Sequence, residues 1–298
     1  IATNHIVSTN GNLRTSSNVT LNGTALLNLA STVGHILGNV TGTGTIRLAP
    51  SSTTPFGYYV FPAGNMTAFT APGGGTIELS NTSTVPAKFP YLTTYNNLTL
   101  TGSGTKVMND ADITLNGELN NQTTSNFIAS GIGNLILNSN WINDGTFVHN
   151  YGSVIFNGNS TLSGSNPLVL NNITINSGKT LTGPASAAFG VAGNWIDNGI
   201  FNHNSGTVNF SGSTTISGLS TTMFNNIFIT SGNTLTGKLA DNFIIAGNWV
   251  NNGTFIHNGG GVIFDGVTLI SGVSNTEFGN VTINSARSLT APSSGIMS

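Results

Sequence analysis

The chain has 298 residues, of which only 7 are Lys or Arg and 9 are Asp or Glu, with 39 Gly, no Cys and a formal net charge of −2. So few cations exclude the basic face that a nucleic-acid binder needs against phosphates, and the absence of cysteine excludes disulfides and Cys-based metal sites. No run of about 18 apolar residues is present to span a membrane, while a hydrophobic fraction of 38% argues against disorder.

In chain order, "VTLNG" (19–23) and "GTGTIRLAP" (42–50) read as the first short strands. The stretch 49–64, "APSSTTPFGYYVFPAG", is the least regular and reads as a protruding loop. Then "GTIELSN" (75–81) matches "GTVNFSG" (206–212), "YNNLTL" (95–100) matches "FNNIFI" (224–229), and "ITLNGELNN" (113–121) echoes "IIAGNWVNN" (244–252). Asn97 and Trp141 are 44 residues apart, but their counterparts Asn172 and Trp195 are 23 apart. The difference predicts one inserted coil near 101–121, within a divergent region 1–130.

From 131 to 298 the pattern is regular, with a period of 54 residues. Trp141, Trp195 and Trp249 keep that spacing, as do His149, His203 and His257, and Phe156, Phe210 and Phe264. Offsets of 19 between similar motifs, with a remainder of 16, divide each repeat into three coils of 19, 19 and 16 residues. Short alternating runs of β-branched and aromatic residues are separated by Asn-Gly and Ser-Gly steps, which favour sharp corners.

The expected fold is therefore all-β: a single right-handed parallel β-helix over 1–298, with coils of about 16–22 residues and a 54-residue three-coil repeat. Strand spacing of about 4.8 Å would make roughly 14–16 coils into a rod about 70 Å long. Leu137, Phe156, Ile175, Val191, Phe210, Ile229, Ile245, Phe264 and Ile283 are predicted to stack in one inward ladder. Leu162, Leu181, Ile216, Leu235, Ile270 and Leu289 are predicted to form a second. Asn143, Asn157, Asn176, Asn198 and Asn252 stand at repeated turn positions, where amide side chains can bond from coil to coil. The three tryptophans are read as core, with an outward, ligand-facing orientation as the alternative.

Chemistry is sparse. Equivalent histidines three coils apart would be about 14 Å from one another, too far to share a metal whose ligand atoms lie about 2 Å from the ion. The carboxylates are Glu78, Asp110, Asp112, Glu118, Asp144, Asp197, Asp241, Asp265 and Glu277. Only Asp110 and Asp112 are neighbours, and no Arg or His accompanies them. "GNTLTGKL" (232–239) falls short of a phosphate loop because Leu239 replaces the required Ser or Thr. Thr180, Thr182, Thr234 and Thr236 hint at an ice-binding row, but the row has gaps. No catalytic, cofactor or metal residue is assigned.

The chain opens at "IATNHIVSTNG" without an N-terminal signal segment and stops at "LTAPSSGIMS", where the pattern asks for another strand. It reads either as a window of a longer protein or as a subunit whose open ends join another copy. The block "GNWINDGTFVHNYGSVIFNG", with the later "FNNITINSGKTLTG"-type segments, resembles the Asn/Gly/Thr-rich β-solenoid regions of very large secreted surface proteins of Bacteroidota-type bacteria. The resemblance covers about 131–290 clearly and 19–130 faintly. It implies an extracellular or cell-surface bacterial protein of adhesin or fibre type, with no catalytic residues to carry over. The expected function is a structural fibre that assembles with copies of itself, through its ends or laterally, with glycans or a cell surface as further partners. A glycan-binding adhesin stalk is the first alternative, and a β-helix polysaccharide lyase or hydrolase the second.

Overall fold

The computed structural model describes residues 1–9, 12–27, 34–50, 57–185 and 189–291. Strands of two to six residues, paired in parallel, build a β-solenoid of about 13 turns, fewer than the coil count read from sequence. Among the described residues one short helix, Thr67–Thr70, interrupts them. Contacts divide the chain into two compact units, residues 1–152 and 153–298.

In the first unit, one face stacks Ile6–Thr9, Thr24–Leu27, Thr45–Leu48, Thr76–Ser80, Asn97–Thr101, Leu119–Asn121 and Trp141–Asn143. A second face stacks Gly57–Tyr58, Ala87–Lys88, Thr105–Val107, Asn126–Ile128 and Thr146–Val148. Between Asn97 and Trp141 the chain lays down six strands, two full turns; between Asn172 and Trp195, in the second unit, it lays down three. Of the stretch read as a protruding loop, residues 51–56 lie outside the described residues, whereas Gly57–Tyr58 and Ala63–Asn65 are strands within the coils.

The second unit has three faces. The first stacks Ser153–Phe156, Asn172–Ile175, Trp195–Asp197, Thr214–Ser217, Thr234–Thr236 and Thr254–Ile256. The second carries Ser160–Ser163, Thr180–Thr182 and Ile200–Asn202, then Met223–Phe224, Asn242–Ile245, Gly261–Phe264 and Asn280–Ile283. The third stacks Leu168–Leu170, Phe189–Val191, Thr207–Phe210, Asn226–Ile229, Trp249–Asn251, Val267–Ser271 and Ser288–Thr290. Alternate residues of each strand point inward, as a period of two requires; Asn172–Ile175 and Asn226–Ile229, for example, run half-buried, buried, half-buried, buried.

This arrangement corrects the coil arithmetic. From Trp195 to Trp249 the chain lays down eight strands, but a turn uses three, so a 54-residue repeat spans two and two-thirds turns. Equivalent residues therefore fall on different faces, about 13 Å apart along the axis. Phe156, Phe210 and Phe264 lie on the first, third and second faces respectively. Each keeps the same neighbours: Phe210 sits between Val191 and Ile229, Phe264 between Ile245 and Ile283, and Phe156 next to Ile175.

The single ladder proposed through Ile175 and Val191 does not exist. Ile175 pairs with Asp197, 22 residues on, and Val191 with Leu170 and Phe210. The 16-residue coil was a resemblance between motifs that are not stacked. The second proposed ladder is likewise distributed: Leu181 stacks between Ser160 and Phe201, and Ile216 on Trp195. The Thr rows end after two rungs, Thr161–Thr182 running into Asn202 and Thr215–Thr236 into Ile256.

Corners are held by glycine where the backbone demands it. Gly218 and Gly272 have φ of +109° and +116°, and a Cβ there would lie 2.2 Å and 2.1 Å from the carbonyl oxygens of Asp197 and Asn251.

Because each strand type keeps its neighbours whichever face it occupies, removal of residues 195–248, one whole repeat, is expected to leave a cooperatively folding protein. Removal of 195–213, one turn of three strands, sets Thr214–Ser217 where Trp195–Asp197 belongs and is expected to cost more stability. Thermal unfolding followed by circular dichroism checks this; a whole-repeat deletion less stable than the single-turn deletion would be the contrary result.

Candidate functional site

The repeated residues are placed first by packing. Trp141, Trp195 and Trp249 are fully buried, which settles their orientation as inward. Each meets the phenylalanine six residues on, Phe147, Phe201 or Phe255, edge to face, with ring centroids 4.8 Å apart in all three copies. Their indole N–H groups have no hydrogen-bond partner, so ring packing has to outweigh the cost of burying them. Phe156, Phe210 and Phe264 are also fully buried.

Asparagine ties turn to turn. In the Asn-Asn pairs the first side chain reaches one neighbouring turn and the second the other. Asn96 Nδ2 donates to the Gly74 carbonyl at 2.7 Å, and Asn97 Oδ1 accepts from the Glu118 N–H at 2.8 Å. Asn225 Nδ2 donates to the Ser205 carbonyl, and Asn226 Oδ1 accepts from the Asn248 N–H, both at 2.7 Å. Amide-to-amide rungs link Asn18, Asn39 and Asn65, and also Asn157 with Asn176.

The set Asn143, Asn198 and Asn252 is out of register, because the counterparts of Asn143 are Asp197 and Asn251. Asn143, Asp197 and Asn251 are buried, and Asn121 Nδ2 donates to Asn143 Oδ1 at 2.9 Å. Asn198 and Asn252 are half-buried and accept the N–H groups of Leu219 and Val273, one turn on, both at 3.0 Å.

The histidines close tight turns. Nδ1 of His149, His203 and His257 accepts the N–H two residues on, from Tyr151, Ser205 and Gly259, at 3.0, 3.0 and 3.1 Å. The intervening Asn150, Asn204 and Asn258 have positive φ. His203 and His257 follow strands on the second and first faces, so these two are not stacked three coils apart as expected. Among the described residues no three His, Asp or Glu side chains gather as a metal site.

The carboxylates bond to their own surroundings. Asp110 Oδ1 accepts from Ser130 Oγ, and Asp112 Oδ1 from the Asn134 N–H and side chain. Glu78 pairs with Arg47 across adjacent strands at 2.7 Å, and Asp241 with Lys238 at 2.6 Å. Asp197 accepts from the Gly199 N–H and from Thr222 Oγ1, and its burial raises its pKa against the opposing effect of those bonds and of Lys238. Lys106 is wholly buried, its ammonium donating to the Gly102 carbonyl and to Ser125 Oγ. Burial lowers its pKa to about 8.

Several concave regions mark the surface of the first unit, and one of them is lined by exposed aromatic rings. A cleft of about 350 Å³ is lined by Tyr58, Lys88, Tyr91, Thr93, Asn109 and Asp110, among others. It adjoins an apolar cleft of about 390 Å³ that shares Tyr58 and Tyr91 and adds Tyr59, Val60, Phe61 and Phe89. Tyr91 is 96% exposed and Tyr58 42%. Their backbone is fixed: Asn109 Nδ2 donates to the carbonyls of Phe89 (2.9 Å) and Pro90 (3.0 Å), and Phe89 stacks on Phe127 with centroids 5.6 Å apart. Sequence reading placed no site here. The available signal was clustering, since four of the five tyrosines, Tyr58, Tyr59, Tyr91 and Tyr95, fall in this stretch beside Phe61-Pro62 and Phe89-Pro90.

No protein-family model matches the chain, and neither the curated proteins nor the solved structures contain a match. No helix among the described residues is long and apolar enough to cross a membrane.

Two predictions follow from the buried polar groups. At the Asn251 position, Oδ1 accepts the Gly253 N–H and Nδ2 donates to Thr276 Oγ1, which is the geometry Asp197→Asn would adopt with Gly199 and Thr222. A raised folded-state pKa means that Asp197 costs stability as pH climbs above the ordinary carboxylate range. Asp197→Asn is therefore expected to stabilise the protein at neutral pH and to lose that advantage in acid. Denaturant unfolding at both pH values measures it; a variant destabilised at neutral pH would refute it.

The histidines act in the opposite sense. Burial lowers the pKa of His149 and His203, so their contribution is present above the ordinary imidazole range and fades as pH falls below it. Replacing both with Asn is expected to flatten the stability profile around pH 6. An unchanged slope would show that the burial of these two rings does not carry it.

Proposed function

We propose that the chain is a structural, non-catalytic solenoid of an extracellular bacterial surface protein, one that assembles with copies of itself. The observation that carries this reading is the mismatch between eight strands per repeat and three per turn in the second unit. It places equivalent strands of successive repeats on different faces, so no face is set apart for a reacting centre, as a structural element allows and an enzyme does not. Neutral polarity supports the same reading. Asn, Ser and Thr supply the turn-to-turn bonds, and only 5% of residues are charged, so cohesion depends little on ionic strength. Self-association draws support from Leu219 and Val273, equivalent apolar corner residues that are almost fully exposed.

Electron microscopy of the purified native material, diluted to sub-micromolar protein, tests the reading. Ordered filaments, or laterally joined bundles that loosen in Leu219→Asn/Val273→Asn, are expected. Isolated particles that depolymerise a polysaccharide, with the activity lost in Asp112→Asn, would replace it with the lyase or hydrolase reading.

A further inference from the structure

The geometry points to the Tyr58–Tyr91 cleft as a binding site for a neutral pyranose sugar. Three features of the cleft match that chemistry. A pyranose ring presents an apolar face of C–H groups and a rim of hydroxyls. The cleft offers aromatic rings, from Tyr58 and Tyr91, beside the amide oxygen of Asn109, whose Nδ2 is taken by the Phe89 and Pro90 carbonyls, the carboxylate of Asp110 and the hydroxyl of Thr93. Flat aromatic surface serves the first and planar hydrogen-bonding groups the second.

Charge narrows the class. One ammonium, Lys88, and one carboxylate, Asp110, line the space, so the site makes no net demand for a charged ligand. A volume of about 350 Å³ lies at the small end of the range for small-molecule sites.

The site is also built in advance. Tyr91 is 96% exposed, yet it follows a Phe-Pro segment held by both bonds from Asn109 and by the Phe89–Phe127 stack. The Phe89 N–H donates to the Val107 carbonyl at 2.8 Å, and the Thr93 carbonyl accepts from the Thr114 N–H at 2.8 Å. An exposed ring on a fixed backbone loses little entropy when a ligand covers it, which is the condition for useful affinity from a small contact. Elsewhere most of the large aromatics are buried, with Phe147 and Phe228 half-buried. Tyr151, the other highly exposed tyrosine at 79%, packs edge-on against His149 and lines neither cleft.

This inference stands apart from the structural reading of the solenoid, and neither depends on the other. The full chain is titrated with four neutral hexasaccharides, of β-1,4-glucose, α-1,4-glucose, β-1,4-mannose and β-1,4-N-acetylglucosamine. Saturation-transfer NMR and calorimetry follow binding up to about 10 mM, enough to saturate a site with a Kd of about 1 mM. At least one hexasaccharide is expected to bind saturably. Tyr91→Ala is expected to weaken it about tenfold, the worth of one stacking contact, while Tyr91→Phe and Tyr151→Ala leave it near the natural value. Tyr91 makes little packing contact, so its variants fold, which circular dichroism verifies. No saturable binding by any of the four, or binding that survives Tyr91→Ala, overturns the proposal.

Discussion

Through most of the second unit a strand hydrogen-bonds to the strand three places before it and the strand three places after it; only at the end do Gly261–Phe264 and Val267–Ser271 pair two strands on, with Asn280–Ile283 and Ser288–Thr290. That pairing supplies most of the backbone bonding, fixes which side chains touch, and leaves no strand able to bury its apolar edge alone. The sequence repeat, by contrast, runs over eight strands. Three and eight share no factor, so stepping three strands at a time brings every strand type onto every face before any recurs. The third face shows seven types in succession without a repeat. Each repeat thus meets the same neighbours as the last, rotated by one face. Trp195 lies between Ile173 and Ile216, and Trp249 between Ile227 and Ile270.

Within that frame the polar residues have defined tasks. A coil of about 20 residues turns three corners, and each corner leaves backbone groups that the ladders do not reach. Asparagine fits these corners because one amide both donates and accepts. Asn96 and Asn225 donate to one adjacent turn, while Asn97 and Asn226 accept from the other. Histidine performs a more local version of this work in the turns after Asn202 and Ile256. Most corners are bonded by neutral amides, with Asn121 Oδ1 and Asn143 Nδ2 left unpaired, which accounts for how few ionisable residues the chain carries. Asp197 is one of four buried charged side chains among the described residues, with Glu78, Lys106 and Lys238, and it is a carboxylate where the equivalent positions 143 and 251 hold asparagine.

Much of this was legible in the residues, and the limit of legibility has a physical cause. Period-two alternation, Asn-Gly and Ser-Gly steps and the absence of helical patterning point to a parallel solenoid, and tryptophan beside Ile or Val at a corner points inward. Stacking was not legible in the same way. Motif similarity compares residues that play the same part, whereas stacking joins residues that play different parts, such as Ile175 with Asp197. Aligning the first gave a 16-residue coil that no turn of the second unit has. The aromatic cleft was hidden for a related reason: Asn109 and Tyr91 meet only because strands a turn apart are adjacent, and nothing repeats there to draw notice.

The central claim, three strands per turn against eight per repeat, is open to a direct chemical check, since the chain has no cysteine of its own. Phe228 and Val250 are paired across neighbouring strands, whereas Thr234 pairs with Thr254. In a three-coil repeat ending in a 16-residue coil, Thr234 would instead lie next to Val250. Paired strands bring Cα atoms within disulfide range, about 4.4–6.8 Å. The double variant Phe228→Cys/Val250→Cys should therefore oxidise readily to an internal disulfide, and Thr234→Cys/Val250→Cys should not. The reverse outcome would contradict the account.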